Sequence, residues 1–145
     1  MRPREFYDLA AQMAAVAKRP AEFRTAISRS YYAAYHVARE LMTTLGGQFN
    51  PTDRETHVDV RRHLERSGNT VLVAVANDLR TLHNDRKTAD YNIRDLTIEK
   101  QNEALARVSK ALVIIEKIDK QCSGPEKTAI RSAITGWVAA GKPRI

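Results

Sequence analysis

The feature that most constrains the fold is a long apolar pattern in the first third of the chain. Its positions are separated alternately by four and three residues: Ile27, Tyr31, Ala34, Ala38, Leu41 and Leu45. This spacing places the six side chains on one face of an α-helix, and other helices must cover that face. Gly46 and Gly47 follow directly, and glycine is typical of a helix end. The pattern therefore predicts a long helix packed in a core.

The segments on either side of this helix also have helical periodicity. A first helix is predicted from about Arg4 to Ala17, stopped near Pro20. A short third helix is expected to run from a cap at Thr52 or Asp53 to about residue 66. The inner stripe of the first helix is expected to be Phe6, Leu9, Ala10, Met13 and Val16.

Three further helices are predicted in the second half of the chain. The fourth begins at Val71 and is apolar on several sides, which indicates a central position, and Asp95 or Thr97 caps the fifth. A turn at residues 123–125 precedes a short final helix and a tail that we expect to be frayed. The expected inner positions are Leu105, Val108, Leu112, Ile115 and Ile118 in the fifth helix, and Ile130, Ile134 and Trp137 in the last.

Helices joined by short turns, without a credible strand, predict an all-α protein, an antiparallel up-and-down helical bundle. We expect the bundle to comprise residues 1–122 and a C-terminal helical extension and tail to comprise residues 123–145. The single cysteine, Cys122, excludes an internal disulfide and suits a reducing compartment. No stretch has the apolar length that a bilayer span requires. We therefore expect a cytoplasmic protein.

The chain is strongly basic, with a formal net charge of +7. Of its 24 basic residues, 16 are arginine, whose planar fork matches the geometry of phosphate or carboxylate. An acidic partner is therefore plausible, and nucleic acid is the commonest one because its phosphates release counterions on binding. A basic surface that is merely solvated explains the charge equally well.

Two sequence motifs carry a resemblance to a known family. The first is SRSYYAAYH, from Ser28 to His36, and the second is RKTADY, from Arg86 to Tyr91. The pair Thr56-His57, at the start of the short third helix, is a weaker third match. In this order, the motifs resemble a bacterial and archaeal branch of the HEPN domain family, and they cover roughly residues 21–91.

The resemblance implies a helical bundle that is commonly a homodimer. Many HEPN relatives are metal-independent endoribonucleases, which act as toxins paired with a nucleotidyltransferase-fold antitoxin. Others lack catalysis and bind RNA or nucleotides, or serve as scaffolds. Active members carry an Arg followed, after four to six residues, by a His. No histidine follows Arg86 at those positions, and Asp90 and Tyr91 lie in that neighbourhood instead.

Four residues are candidates for catalysis: His36, Arg86, Arg29 and Asp90. Metal-free RNA cleavage needs a base, an acid and cations that stabilise the charged phosphorane. Histidine suits proton transfer because its ordinary pKa is near neutrality, and arginine suits the phosphate. Arg29 and His36 are seven residues apart and share a helix face. The alternatives are a structural histidine and an ion pair between Arg86 and Asp90, one helical turn apart.

Three further residues, Tyr32, His83 and Tyr91, are candidates for RNA or nucleotide binding. Tyrosines can stack on bases, although Tyr31 and Tyr35 are expected to be core or dimer contacts with satisfied hydroxyls. A hydroxyl that is hydrogen-bonded across helices explains Tyr91 equally well. His83 can share the face of Arg86, or it can be an exposed histidine near the helix end. His57 and His63 are expected at the surface. No metal-ligand set, glycine-rich phosphate loop or nucleophile elbow is visible, so we expect no metal or other cofactor.

These observations leave three hypotheses of function. The first is an RNA-cleaving or RNA-binding HEPN toxin. The second is a catalytically silent HEPN scaffold that dimerises and binds a nucleotide or a nucleotidyltransferase-fold partner, which the missing downstream histidine favours. The third is a helix-turn-helix DNA-binding protein that uses the basic third helix. The long second and fifth helices fit a bundle better than a compact DNA-recognition unit.

Overall fold

A computed structural model describes residues 2–50 and 55–144 of the protein. These residues form six helices and no strand, which confirms the predicted all-α class and fits a helical bundle. No helix among them is long and apolar enough to cross a membrane. The helices are α1 (Arg4–Val16), α2 (Pro20–Thr44), α3 (Thr56–Glu65), α4 (Thr70–Tyr91), α5 (Gln101–Ser123) and α6 (Lys127–Ala139).

The chain divides into two compact units, and the first comprises residues 1–37 and 78–114. It contains α1, most of α2, the second half of α4 and the first half of α5. Small side chains dominate its core, so the helix backbones can approach closely. The buried cluster consists of Ala10, Ala14, Ala17, Phe23, Ala26, Ile27, Ala89, Ile98, Ala104 and Val108.

The second unit comprises residues 38–77 and 115–145. Its fully buried large side chains include Met42, Leu45, Leu64 and Leu72. The final helix α6 belongs to this unit and buries Ile130, Ile134 and Trp137, as predicted. The predicted division of the chain after residue 122 stays a prediction.

The ends of α2 show how local chemistry sets the helix boundaries. Pro20 is the first residue of the helix, where its fixed φ is favourable and its missing N–H costs nothing. Glu22 accepts backbone hydrogen bonds from Lys18 (2.7 Å) and Arg19 (3.2 Å), which lower the pKa of its carboxyl to about 2. At the other end Gly46 adopts φ +94°, and a Cβ there would overlap the methyl of Thr135.

Several predicted inner faces were wrong in detail. In α1 the buried residues are Ala10 and Ala14, whereas Leu9 and Val16 are exposed. In α5 Val108, Ile115 and Ile118 are buried, as predicted, and Leu112 is half-buried, but Leu105 is exposed and Ala104 is buried instead. The helix α4 is buried on one face only, through residues such as Leu72, Leu79 and Leu82, and Val73 is exposed. Periodicity thus located the helices and predicted most of the buried faces of α2 and α6, but it predicted those of α1, α4 and α5 only in part.

The predicted N-terminal caps of α5 and α3 have different outcomes. Residues 92–100 form irregular turns and α5 begins at Gln101, so Asp95 and Thr97 do not cap it. The Asp95 carboxylate instead accepts hydrogen bonds from Thr97, and these hold the pKa of Asp95 below its usual value. The predicted caps of α3, Thr52 and Asp53, lie outside the described residues.

The C-terminal tail is ordered, which corrects the expectation of fraying. Lys142 donates hydrogen bonds from Nζ to Asp59 Oδ2 (2.6 Å) and to the carbonyl of Gln48 (3.0 Å). Trp137 Nε1 donates to the carbonyl of Pro143 (2.9 Å). These contacts hold the tail against the rest of the second unit.

Candidate functional site

All seven candidate residues from the sequence lie in the first unit, on α2 and α4. The structure adds Phe6 of α1, whose ring contacts residues of α2. Six of the seven candidates form a chain of contacts with this ring, and we call the set the arginine–aromatic patch. It consists of Phe6, Arg29, Tyr32, His36, Arg86, Asp90 and Tyr91.

Arg86 lies at the centre of the patch, and its side chain is only 12% exposed. It donates a hydrogen bond from Nη2 to the Tyr32 hydroxyl (2.5 Å), and its guanidinium carbon lies 5.1 Å from the Tyr32 ring centroid and 5.7 Å from that of Tyr91. Cation–π contacts of this kind are worth about 0.5–2 kcal/mol. The guanidinium is therefore held between two aromatic rings.

The charge of Arg86 is balanced by Asp90, one turn later on α4. Arg86 Nε lies 3.3 Å from Asp90 Oδ2, but within the described part of the chain this buried N–H completes no hydrogen bond. Burial opposes the charge of Arg86, yet the Tyr32 hydrogen bond and the negative charge of Asp90 outweigh it and raise the pKa of Arg86. Ser28 donates a hydrogen bond to the same Asp90 oxygen (3.2 Å), so α2 helps to orient the carboxylate.

His36 and Arg29 meet on the ring of Phe6. The imidazole stacks on this ring with centroids 5.2 Å apart, and the Arg29 guanidinium carbon lies 5.7 Å from the same centroid. His36 also lies 6.0 Å from the Tyr32 ring, so it is one residue removed from Arg86. The side chains of Phe6, Arg29 and His36 are all partly exposed. The sequence suggested that Arg29 and His36 share a helix face, and both contact one aromatic residue here.

The remaining two candidates differ in their surroundings. Tyr91 is the last residue of α4, and its side chain is 74% exposed, so its ring is open to solvent beside Arg86. His83 stacks on the fully buried Tyr31 at 4.8 Å and is itself half-buried, so it is not the exposed histidine that the sequence allowed. Tyr31 and Tyr35 are buried, as predicted.

A buried arginine on α2 fixes the end of α4 that carries the patch. Arg24 donates from Nη1 to the carbonyls of Thr88 (3.2 Å), Ala89 (3.1 Å) and Asn92 (3.1 Å). Its Nη2 donates to the Asp95 carbonyl (2.7 Å), and its Nε pairs with Glu99 Oε1 (2.9 Å). A cation at a helix C-terminus also interacts favourably with the helix dipole. Arg24 thus holds the backbone that positions Tyr91.

Sequence reasoning did not identify Phe6 or Arg24. Phe6 was assigned to the inner stripe of α1, and nothing in its spacing indicated that a histidine and an arginine of α2 meet on its ring. Arg24 lies in the same helix as the motif residues but outside the motif. A single basic residue gives no signal that it will reach carbonyls more than sixty residues away in the sequence.

The basic face that suggested a helix-turn-helix protein consists of Arg61, Arg62, His63 and Arg66, and it is only partly accessible. Of its residues on α3, Arg61 is buried and His63 is inaccessible to solvent, which also corrects the prediction of a surface His63. Arg66 donates a hydrogen bond to the carbonyl of Arg144 (2.8 Å). A recognition helix needs side chains that can reach base edges in a groove, and two of these four cannot.

No protein-family model, curated protein or solved structure matches this chain. The arginine–aromatic patch combines two guanidinium groups, an imidazole and a solvent-open tyrosine ring. Such a combination can bind an anion through charge-assisted hydrogen bonds and a planar group by stacking.

Proposed function

We propose that this chain is a HEPN-type protein that binds RNA or nucleotides through the arginine–aromatic patch. The observation that carries the proposal is the position of Arg86, hydrogen-bonded to Tyr32 at 2.5 Å and lying 5.7 Å from the centroid of the exposed Tyr91 ring. A phosphate is recognised by a guanidinium fork, and an unpaired base by an aromatic face. Both groups occur side by side here.

The geometry of the patch also explains why the arginines are suited to a ligand. The Asp90 carboxylate lies 3.3 Å from Arg86 Nε and is itself oriented by a hydrogen bond from Ser28, so it helps to hold the Arg86 guanidinium in place. Arg29 contacts an aromatic ring, which leaves the polar edge of its guanidinium for an anion. The stacked rings hold both cations in place before binding, so little side-chain entropy remains to be lost.

The binding proposal predicts a specific loss of affinity for RNA. Arg29→Gln and Arg86→Gln should each weaken binding of a labelled single-stranded RNA about tenfold or more, because a hydrogen bond to a charged group contributes about 1.5–3 kcal/mol. Fluorescence anisotropy titrations at several salt concentrations measure the effect. Each substitution should also reduce the salt slope by roughly one phosphate contact.

The matched control is Arg131→Gln, which removes one exposed arginine from α6 in the second unit. Arg86→Lys serves as a second control, because it keeps the charge but lacks the fork. Circular dichroism establishes that each variant is folded. Equal losses in Arg86→Gln and Arg131→Gln would show that net charge, and not the patch, binds the RNA.

A second candidate function is metal-independent RNA cleavage at the same patch. The favouring observation is that His36 lies 6.0 Å from Tyr32, whose hydroxyl accepts the hydrogen bond from Arg86. Histidine can take the proton of a 2′-hydroxyl or deliver one to the leaving oxygen, while an arginine stabilises the phosphorane. In this proposal His36 supplies, from α2, the histidine that is missing after Arg86.

Cleavage is tested by incubating RNA with the protein in the presence of a metal chelator. His36→Gln should reduce the rate by about a hundredfold or more, the usual contribution of a general acid or base. RNA affinity should change little. Intact RNA after incubation with the unmodified protein would end the nuclease proposal and leave the binding proposal, with its catalytically silent form, standing.

The assembly of the protein is a separate part of the proposal. A homodimer and a nucleotidyltransferase-fold antitoxin partner are supported by the resemblance of the SRSYYAAYH and RKTADY motifs to the HEPN family. The same resemblance supports the alternative role of a scaffold. Sedimentation of the purified chain tests the homodimer directly.

A further inference from the structure

The outer face of α4 carries an open depression next to the arginine–aromatic patch. Its volume is about 570 Å³, and it is shallow and broadly open to solvent. Asn84, Lys87, Thr88, Tyr91 and Asn92 line it, at spacings of three and four residues that define one helix face. We call it the α4 depression. None of its residues apart from Tyr91 belongs to the site described above.

We propose that the α4 depression is a nucleobase subsite, so that the ligand of this protein is a single-stranded RNA with an unpaired base. This inference rests on the proposed function, because it assigns a phosphate to Arg86 and the base that follows it to the depression. It goes beyond that function by adding a second contact region and by excluding duplex RNA as the preferred ligand.

Tyr91 is the residue that joins the two regions. Its ring lines the depression and also lies 5.7 Å from the Arg86 guanidinium carbon. Because the side chain is 74% exposed, one ring face can accept a base while Arg86 holds the adjoining phosphate. Stacking of this kind is sequence-tolerant and recurs in proteins that bind single strands.

The other lining side chains suit the polar edges of a nucleotide. Asn84 and Asn92 are exposed, and a carboxamide both donates and accepts hydrogen bonds, as the edge of a base requires. An asparagine can bind adenine in this way through two hydrogen bonds. The exposed Lys87, which lies between these residues on the helix, supplies a cation for a second phosphate.

The depression is also preorganised. Arg24 restrains the backbone beneath the depression. It donates hydrogen bonds to the carbonyls of Thr88 (3.2 Å) and Asn92 (3.1 Å), which are both lining residues. The backbone that carries Tyr91 lies between these two anchor points. A site held in this way binds with a smaller entropy cost than a loop that must first become ordered.

The test compares three probes of equal length and measures their binding by fluorescence anisotropy. They are a single-stranded oligoadenylate, an abasic oligonucleotide with the same number of phosphates, and an RNA duplex. The unmodified protein should bind the oligoadenylate tightest. The abasic strand lacks the base and the duplex hides it, so both should bind more weakly even though they carry the phosphates that Arg86 requires.

The variants test which residues recognise the base. Tyr91→Ala should weaken binding of oligoadenylate about 5- to 150-fold, the equivalent of roughly 1–3 kcal/mol per stacked base, and should weaken binding of the abasic strand much less. Tyr91→Phe should retain the affinity, because the ring is kept. Asn84→Ala should act in the same direction as Tyr91→Ala. Val113→Ala, another exposed apolar side chain of the first unit, is the matched control.

The outcomes separate the two proposals. If the oligoadenylate and the abasic strand bind equally, and only Arg29→Gln and Arg86→Gln weaken them, the base subsite is overturned while the proposed function stands. If no probe binds, both proposals fail. If the duplex binds tightest, the assignment to single strands is wrong.

Discussion

His63 and His36 show how two histidines on helices acquire different properties. His63 is inaccessible to solvent, its Nδ1 lies 2.7 Å from the Asp59 carbonyl, and its Nε2 accepts a hydrogen bond from the Gln48 backbone N–H (3.2 Å). One ring nitrogen therefore donates and the other accepts, which is the pattern of a neutral imidazole. His36 is partly exposed in the arginine–aromatic patch. Only the second is placed to exchange protons with a ligand.

Burial of His63 leads to a pH prediction. Removal from water lowers the pKa of His63 below its usual value of 6.5, and the nearby positive charge of Lys142 lowers it further, while Asp59 acts in the opposite direction. The unfolded chain therefore binds a proton more readily than the folded one. The contribution of the neutral His63 to the free energy of unfolding should be fully present above about pH 6.5. It should be lost as the pH falls from there towards the folded-state pKa. Urea unfolding at a series of pH values measures this.

The variants His63→Gln and His57→Gln isolate the contribution of the buried ring. His63→Gln lowers stability at all pH values because it removes the ring that packs on Phe49 (4.2 Å) and Trp137 (4.9 Å). It should also flatten the dependence on pH near neutrality, which His57→Gln should not do. An unchanged slope in His63→Gln would assign the pH dependence to other groups.

At the scale of helices, Arg24 is the residue that most directly joins two of them. The last carbonyls of an α-helix lack partners within the helix. Arg24 of α2 donates to the carbonyl of Ala89 and to that of Thr88, which also accepts the Asn92 backbone N–H (3.0 Å). Its ion pair with Glu99 at 2.9 Å secures the irregular segment that follows α4. The side chain is only 10% exposed, so water cannot easily replace it. The stability of this end of α4 thus depends on a residue of another helix.

Removal of this arginine should be costly. Arg24→Met should lower the free energy of unfolding by about 3–5 kcal/mol, because it leaves the mostly buried Glu99 without its partner and removes the Arg24 hydrogen bonds to four carbonyls, of which, among the described residues, only those of Thr88 and Asn92 keep a backbone donor. Chemical denaturation followed by circular dichroism measures the change. The double variant Arg24→Met/Glu99→Met should recover part of the loss, since it removes the unpaired charge.

A second, milder substitution checks the geometry of the Arg24 contacts. Arg24→Lys keeps the charge, but an ammonium group cannot reach all of the carbonyls that the planar fork contacts, so its loss should be intermediate. If Arg24→Lys were as stable as the unmodified protein, charge alone would account for the effect and the multiple hydrogen bonds would contribute little.

At the scale of the whole molecule, the proposed RNA binding could arise from the net charge of +7 or from a localised site. A diffuse positive charge attracts any polyanion, and this attraction weakens as the salt concentration rises. If binding depends on such a charge, removal of any one arginine should reduce the affinity and the salt dependence to a similar extent. A localised site loses more when Arg29 or Arg86 is replaced than when Arg131 is. The comparison of these variants over a range of salt concentrations therefore tests the proposed function at this scale.

Much of the fold could be predicted from the sequence because helix formation depends on local patterns. The spacing from Ile27 to Leu45 located α2, glycine marked its end, and the burial of Tyr31 followed from the same pattern. The buried face of α1 could be predicted only in part, as Ala10 but not Leu9 or Val16 is buried, since alanine and leucine both satisfy an apolar stripe. Ala10 and Ala14 are the buried residues, because small side chains let helices approach closely.

By itself, the sequence determined that the chain is all-helical, where each helix lies, and which polar residues share a face of α2 or α4. Only the tertiary structure decided that Phe6 joins Arg29 to His36, that Arg24 secures the end of α4, and that His63 is buried. The physical reason is that a hydrogen-bonded helix is specified by residues a few positions apart. Contacts between helices join residues far apart in the sequence, and they depend on which faces pack together.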